Sequence, residues 1–151
     1  MDSSDMIKIF LGFGGFVLTL GILGYIFTSL SYMKIFKSFN FSHPGYAFIP
    51  IYNLYILADL TCGDYFRLGE FQIEKKYFVW WWLIAFVIGL IPFIGTWLEL
   101  GIIILSEGYC RKVAFSRLDD KYTGSIIAYF SVVIPIIMWF IVLPSKINKY
   151  N

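Results

Sequence analysis

Histidine occurs once, at His43, and cysteine twice, at Cys62 and Cys110, in a sequence of 151 residues. A lone histidine sets aside a His-rich zinc site, and the cysteines stand far apart with no metal-ligand spacing. A disulfide between them stays open, although a lipid-packed bundle has no need of a staple. Charge is scarce as well. Asp, Glu, Lys and Arg make up 15% of the chain and the net charge is +2, too little to point to nucleic acid. There is no Walker loop, no H-E-x-x-H, no G-x-S-x-G and no C-x-x-C. The start, Met1-Asp2-Ser3-Ser4-Asp5, lacks the basic region and cleavage site of a signal peptide, so the first apolar run is expected to be retained. Nothing in the sequence asks for a metal, a cofactor or an enzyme activity.

What is abundant is apolar surface. Hydrophobic residues form 59% of the chain and aromatics 21%, and mean hydropathy is +0.74. A soluble domain of this size has no core large enough to hide them, so the expected solvent is lipid. The sequence predicts a single all-α membrane domain over 1–151, a polytopic helix bundle in a bacterial cell membrane.

The longest apolar stretch runs from Tyr77 to Arg111, interrupted at Ile91-Pro92-Phe93-Ile94-Gly95. About 20 apolar residues at ~1.5 Å each cross the ~30 Å hydrocarbon layer. Pro92 removes a donor and Gly95 permits a tight reversal, which predicts a transmembrane hairpin. Spans are expected at about 6–30, 77–91, 96–113 and 123–143, the last interrupted by Pro135. Residues 45–59, broken by Pro50, are short for a straight crossing and read as a re-entrant or short fifth element. The amide of Asn53 is placed to satisfy backbone groups that Pro50 frees.

In the first span, Gly14, Gly21 and Thr28 repeat every seven residues, a small-residue stripe suited to helix packing inside the subunit or to a dimer seam. Lys34 and Lys37 suit the interfacial end of that span, and Thr61 to Lys76 reads as a polar loop. If 45–59 does not cross, nine of the twelve Lys and Arg fall on one side; if it crosses, eight do. Both counts put the connector 111–122 in the cytoplasm.

Ile49-Pro50-Ile51-Tyr52-Asn53 and Ile91-Pro92-Phe93-Ile94-Gly95 look like two copies of one device, with Tyr122 to Pro135 a degraded third. Lys34-Ile35-Phe36-Lys37, followed by Pro44-Gly45-Tyr46-Ala47-Phe48-Ile49-Pro50-Ile51-Tyr52-Asn53-Leu54-Tyr55, resembles the signature of an uncharacterised family of small bacterial integral membrane proteins. Its members carry a Lys-rich stretch, then Gly-Trp and Ile-Pro-x-x-Asn, and a second Ile-Pro hairpin downstream. The likeness covers roughly Lys34 to Leu143. Tyr46 stands where that family has Trp, Gly95 where it has a second Asn, and the loop from Thr61 to Lys76 is longer. The resemblance implies a membrane bundle and supplies no chemistry.

Five polar residues are candidates for function. Glu99 follows the hairpin turn, on one helical stripe with Ser106 and Cys110; it either lines a proton or ion path or sits at the interface near a helix amino end. Glu107 and Arg111 are four apart and read as a surface-type ion pair at the cytoplasmic rim. Asn53 and Asp59 belong to the broken element, Asp59 as a cap or facing the loop. His43 reads as an interfacial turn residue, and Trp80, Trp81 and Trp82 as an interfacial belt. Pro50, Pro92, Gly95 and Pro135 are the structural breaks. The leading expectation is a non-enzymatic helper, an immunity, regulatory or assembly protein, that contacts lipid and either another membrane protein or a second copy of itself. The alternative is a small transporter or oligomeric channel using Glu99 and the Pro-broken helices.

Overall fold

The computed structural model of the chain describes residues 3–68, 71–74, 77–122 and 125–145. Glu70, Lys75, Lys76, Thr123 and the tail from Lys146 lie outside the described residues. The architecture is mainly helical. Helix α1, Ser3–Ser38, is followed by a 3-10 turn, Pro44–Phe48, and by α2, Tyr52–Cys62. Two short strands, β1 (Tyr65–Leu68) and β2 (Phe71–Glu74), lead into α3, Phe78–Gly89. Helix α4, Ile94–Leu118, packs against α2, α3 and α5 and is the centre of the bundle. Helices α5, Ile127–Val133, and α6, Pro135–Val142, complete it.

Helix α1 has 36 residues, a rod of roughly 54 Å at 1.5 Å per residue. Asp5 in its first turn and Lys37 in its last complement the helix dipole. Its end is a Schellman motif. Asn40 takes φ 57°, its N–H bonds the Lys37 carbonyl at 3.1 Å, and the Phe41 N–H reaches back to Phe36 at 3.0 Å. The rings of Phe36 and Phe41 meet at 5.8 Å and supply the apolar contact of that motif.

The core gathers around the last turns of α1. Tyr32, Ile35 and Phe36 are buried with Ile56 and Leu57 of α2, Ala114 and Phe115 of α4, and Met138 and Val142 of α6. Ser31, Tyr32, Ile35, Phe36 and Ser38 are therefore interior, where the sequence suggests an interfacial helix end. Lys37 is exposed, and half-buried Lys34 donates to the Leu143 carbonyl at 2.6 Å just past α6, where a cation complements the helix end.

Upstream of Thr28 the described side chains of α1 are exposed all round, save Gly24 at half-burial. Nothing lies within 4 Å of a Cβ built on Gly12, Gly14, Gly15 or Gly21; only Gly24 meets a neighbour, the Trp139 ring at 3.8 Å. The expectation that the glycine stripe packs inside the subunit is corrected here. The other helices are too short to lie alongside the whole of so long a rod. Thr28, the third member of the stripe, does pack, accepting from Trp139 Nε1 at 3.2 Å.

Among the described residues α1 is the one helix that, by length and composition, can cross a membrane unaided. Helix α3, with 12 residues, reaches about 18 Å. Helices α5 and α6 hold 7 and 8 residues either side of the Ile134–Pro135 break.

The expected polar loop from Thr61 is also different. Helix α2 continues to Cys62, and β1 and β2 pair antiparallel, Tyr65 opposite Glu74 and Leu68 opposite Phe71. Tyr-Phe-Arg-Leu and Phe-Gln-Ile-Glu are strand-prone and alternate in polarity, which outweighs the charge content of the segment.

The two Ile-Pro copies share one backbone. Ile51 has φ 67° and ψ −47°, and Phe93 has φ 64° and ψ −62°. In each copy the N–H two residues after the proline bonds the proline carbonyl, Tyr52 to Pro50 at 2.7 Å and Ile94 to Pro92 at 2.8 Å. These are γ-turns of positive φ, rare and strained for residues with a Cβ. The fifth residue of each copy holds the turn differently. Asn53 Nδ2 donates to the Ala47 carbonyl at 3.2 Å. Gly95 admits the Ile88 carbonyl, which would stand 2.0 Å from a Cβ there. Gly95 is thus needed for close approach, and Phe93 rather than Gly95 takes the reversing conformation. At Pro135 the backbone differs: α6 starts at the proline itself, Ile136 after it does not take positive φ, and the Ile137 N–H bonds the Ile134 carbonyl, so there is no γ-turn.

Candidate functional site

The polar centre of the molecule is built by three helices. Arg111 lies on α4 with Glu107 one turn before it, Tyr32 comes from α1 and Ser131 from α5. The four side chains are buried. Arg111 Nε donates to Glu107 Oε1 at 2.9 Å and Nη2 to the Tyr32 hydroxyl at 2.9 Å. Nη2 also meets Glu107 Oε1 in an ion pair. Nη1 donates to Ser131 Oγ at 3.1 Å and to the Ser131 carbonyl. The Tyr32 hydroxyl donates to Glu107 Oε1, and the guanidinium carbon lies 5.6 Å from the centre of the Tyr32 ring. All five guanidinium donors have acceptors.

The expectation of a surface-type pair is therefore corrected: Glu107 is 7% and Arg111 4% exposed. A buried ion pair loses hydration and needs further hydrogen bonds to hold it. Tyr32 and Ser131 supply them. Gly108 makes the close approach possible, since a Cβ there would stand 2.4 Å from the Tyr129 ring of α5. Ser29, one turn before Tyr32 on α1, is fully buried and its hydroxyl has no partner among the described residues.

One cue to this site is present in the sequence of α4. Glu107, Arg111, Ala114 and Leu118 follow the spacing of a single helix face. Ala114 and Leu118 are core residues, so the charged pair shares the core-facing stripe. Tyr32 and Ser131 carry no such cue, because only tertiary packing brings α1 and α5 to α4.

The remaining candidates stay apart from this cluster. Glu99 is half-buried on α4, its carboxylate against Gly89 of α3, where an added Cβ would stand 2.0 Å from Oε2. Gly89 thus makes room for Glu99 inside the hairpin. Farther along the same stripe, Ser106 Oγ donates to the Ile102 carbonyl at 2.7 Å, and Cys110 meets Cys62. Asn53 is buried beneath the first γ-turn, and Asp59 is half-buried on α2. Residues 111–118 belong to α4, so the connector proper begins at Asp119. Lys121 stands beside Asp119, side chain to side chain at 3.0 Å and by its backbone N–H at 3.1 Å, and holds that carboxyl below its ordinary range.

His43 is exposed, paired with Ser42 Oγ at 2.7 Å and stacked on Tyr46. Trp80 is exposed, whereas the side chains of Trp81 and Trp82 lie outside those described. Among the described residues no three His, Cys, Asp or Glu side chains gather as a metal site. The cluster around Arg111 is a closed clamp that fixes three helices. No family model matches the chain, and neither a curated protein nor a solved structure matches it.

Proposed function

We propose that this protein resides in a cell membrane and acts there without catalysis, through helix–helix contacts with another membrane protein, as an immunity, regulatory or assembly helper. The observation that carries the proposal is the unpartnered length of α1. From Leu11 to Leu23 it is apolar but for Thr19, exposed, and set with Gly12, Gly14, Gly15 and Gly21, whose Cα faces are open. In lipid such glycines let a second backbone approach closely, and van der Waals packing then replaces the hydrophobic effect as the attraction. The family resemblance of Lys34 to Leu143 is part of the same proposal.

In that placement α1 crosses the bilayer, while α3 with the start of α4, and α5 with α6, turn apolar sides to lipid in a multi-pass arrangement. Exposed Phe86, Leu90, Phe93 and Trp97 on the hairpin, and Phe130, Ile136 and Phe140 on the last pair, support it. The connector after Leu118 is then cytoplasmic. The experiment is site-specific photocrosslinking in the native membrane from Gly14 and Gly21, with mass spectrometry of the products. A discrete membrane-protein adduct is the expected result; adducts with lipid alone would end the helper proposal.

A transporter or channel is the second reading, and the half-buried Glu99 within the Pro-broken hairpin favours it. Solute flux in proteoliposomes that disappears in Glu99→Gln would establish it in place of the helper.

A further inference from the structure

Cys62 and Cys110, 48 residues apart in sequence, bring their Sγ atoms to 3.5 Å. Both are free thiols. A disulfide bond is ~2.05 Å long, so a further approach of roughly 1.5 Å joins them. Their surroundings differ. Cys62 is the last residue of α2, half-buried and next to the exposed Gly63 and Asp64, so it is the more accessible of the two thiols. Cys110 is 1% exposed, sealed on α4 one residue before the Arg111 clamp. An accessible thiol backed by a sealed one is the arrangement of an attacking and a resolving cysteine.

We infer that Cys62 and Cys110 form a modification site for thiol–disulfide exchange, reacting with a small-molecule or protein disulfide and closing into an intramolecular disulfide between α2 and α4. In the first step Cys62 loses its proton to solvent and its thiolate attacks one sulfur of the incoming disulfide. That S–S bond breaks, and the departing thiolate takes up a proton. In the second step Cys110 loses its proton and attacks the Cys62 sulfur of the mixed disulfide, expelling the second thiol. Two protein thiols are oxidised to one disulfide and the incoming disulfide is reduced to two thiols. The closed bond ties α2 to α4 across the β-ribbon and α3, next to the helix turn that carries Arg111. The inference is independent of the partner proposed for α1.

The test uses the full chain in mild detergent, equilibrated with oxidised glutathione, blocked with a maleimide and read by peptide mass spectrometry. The expected product is a Cys62–Cys110 linked peptide that dithiothreitol reverses. Cys110→Ser is expected to trap a glutathione adduct on Cys62, whereas Cys62→Ser leaves Cys110 at least tenfold slower to react. The inference is overturned if the folded wild type keeps both thiols free while the denatured chain reacts. It is equally overturned if only intermolecular products form, or if the two single variants take up glutathione alike. The wild-type measurement decides even if a variant fails to fold.

Discussion

Arg111 has every donor engaged, and Glu107 has exchanged water for Arg111 and Tyr32. Removing one member leaves the other charge buried without its partner. Arg111→Met is expected to lower stability by about 3–5 kcal/mol, because the Glu107 carboxylate is stranded. Tyr32→Phe is expected to cost about 1.5–3 kcal/mol, the range for a hydrogen bond to a charged group. The combined variant should fall well short of the sum, since both act on one carboxylate. Denaturant titration in detergent micelles reads all three; full additivity would mean that the cluster is not coupled.

Asp119 is a smaller case with a defined sign. Its carboxyl is held below the ordinary range by the Lys121 side chain first and then by the Lys121 N–H. The stabilisation is present at neutral pH, above the ordinary carboxylate pKa of 3.8, and is lost as pH falls through the lower folded-state value. Asp119→Asn is therefore expected to be slightly less stable than wild type at pH 7 and to converge with it in acid. A set of thermal melts against pH checks this, and a gap that widens in acid would contradict it.

At the scale of elements, the two γ-turns organise the breaks. Their positions are legible in the sequence, because proline cannot donate and restricts the residue before it. The helices end at Gly89 and resume at Ile94, so the break falls at 90–93, a little before the 91–96 that the letters suggest. The residue that bears the strain is not legible, since nothing in the letters makes Ile51 or Phe93 suited to positive φ. Phe93 is 90% exposed and makes little packing to lose, so Phe93→Gly should stabilise by about 1 kcal/mol through relief of the left-handed backbone. Gly95→Ala should do the reverse. Its methyl meets the Ile88 carbonyl and the Ile91 Cβ, and a backbone neighbour yields poorly, so a loss of roughly 1–3 kcal/mol is expected. Thermal melts of the two variants against wild type give both signs, and a stable Gly95→Ala protein would remove the close-approach argument.

At the scale of the whole molecule, the core and the membrane-length segment occupy different parts of one helix. Apolar composition announces the segment, since every residue counts equally in a hydropathy sum. The core depends on which faces meet. Tyr32, Ile35 and Phe36 sit among lysines in sequence, so their burial, like the Cys62–Cys110 approach, is decided by partners far along the chain. The β-ribbon was masked by charged letters within strand-prone residues. Because the core begins near Thr28, a chain lacking residues 3–22 is expected to keep its packed bundle and to lose the partner proposed for α1. Near-ultraviolet circular dichroism of the shortened protein, beside the full one, is the check; loss of the aromatic signal would place the core elsewhere.

The continuity of α1 carries a mechanical consequence. The end that stands free of the bundle and the end that holds Tyr32 are one rod, touched between them by Trp139 at Gly24 and Thr28. Whatever grips the free arm therefore pulls directly on the hydroxyl that Glu107 and Arg111 share.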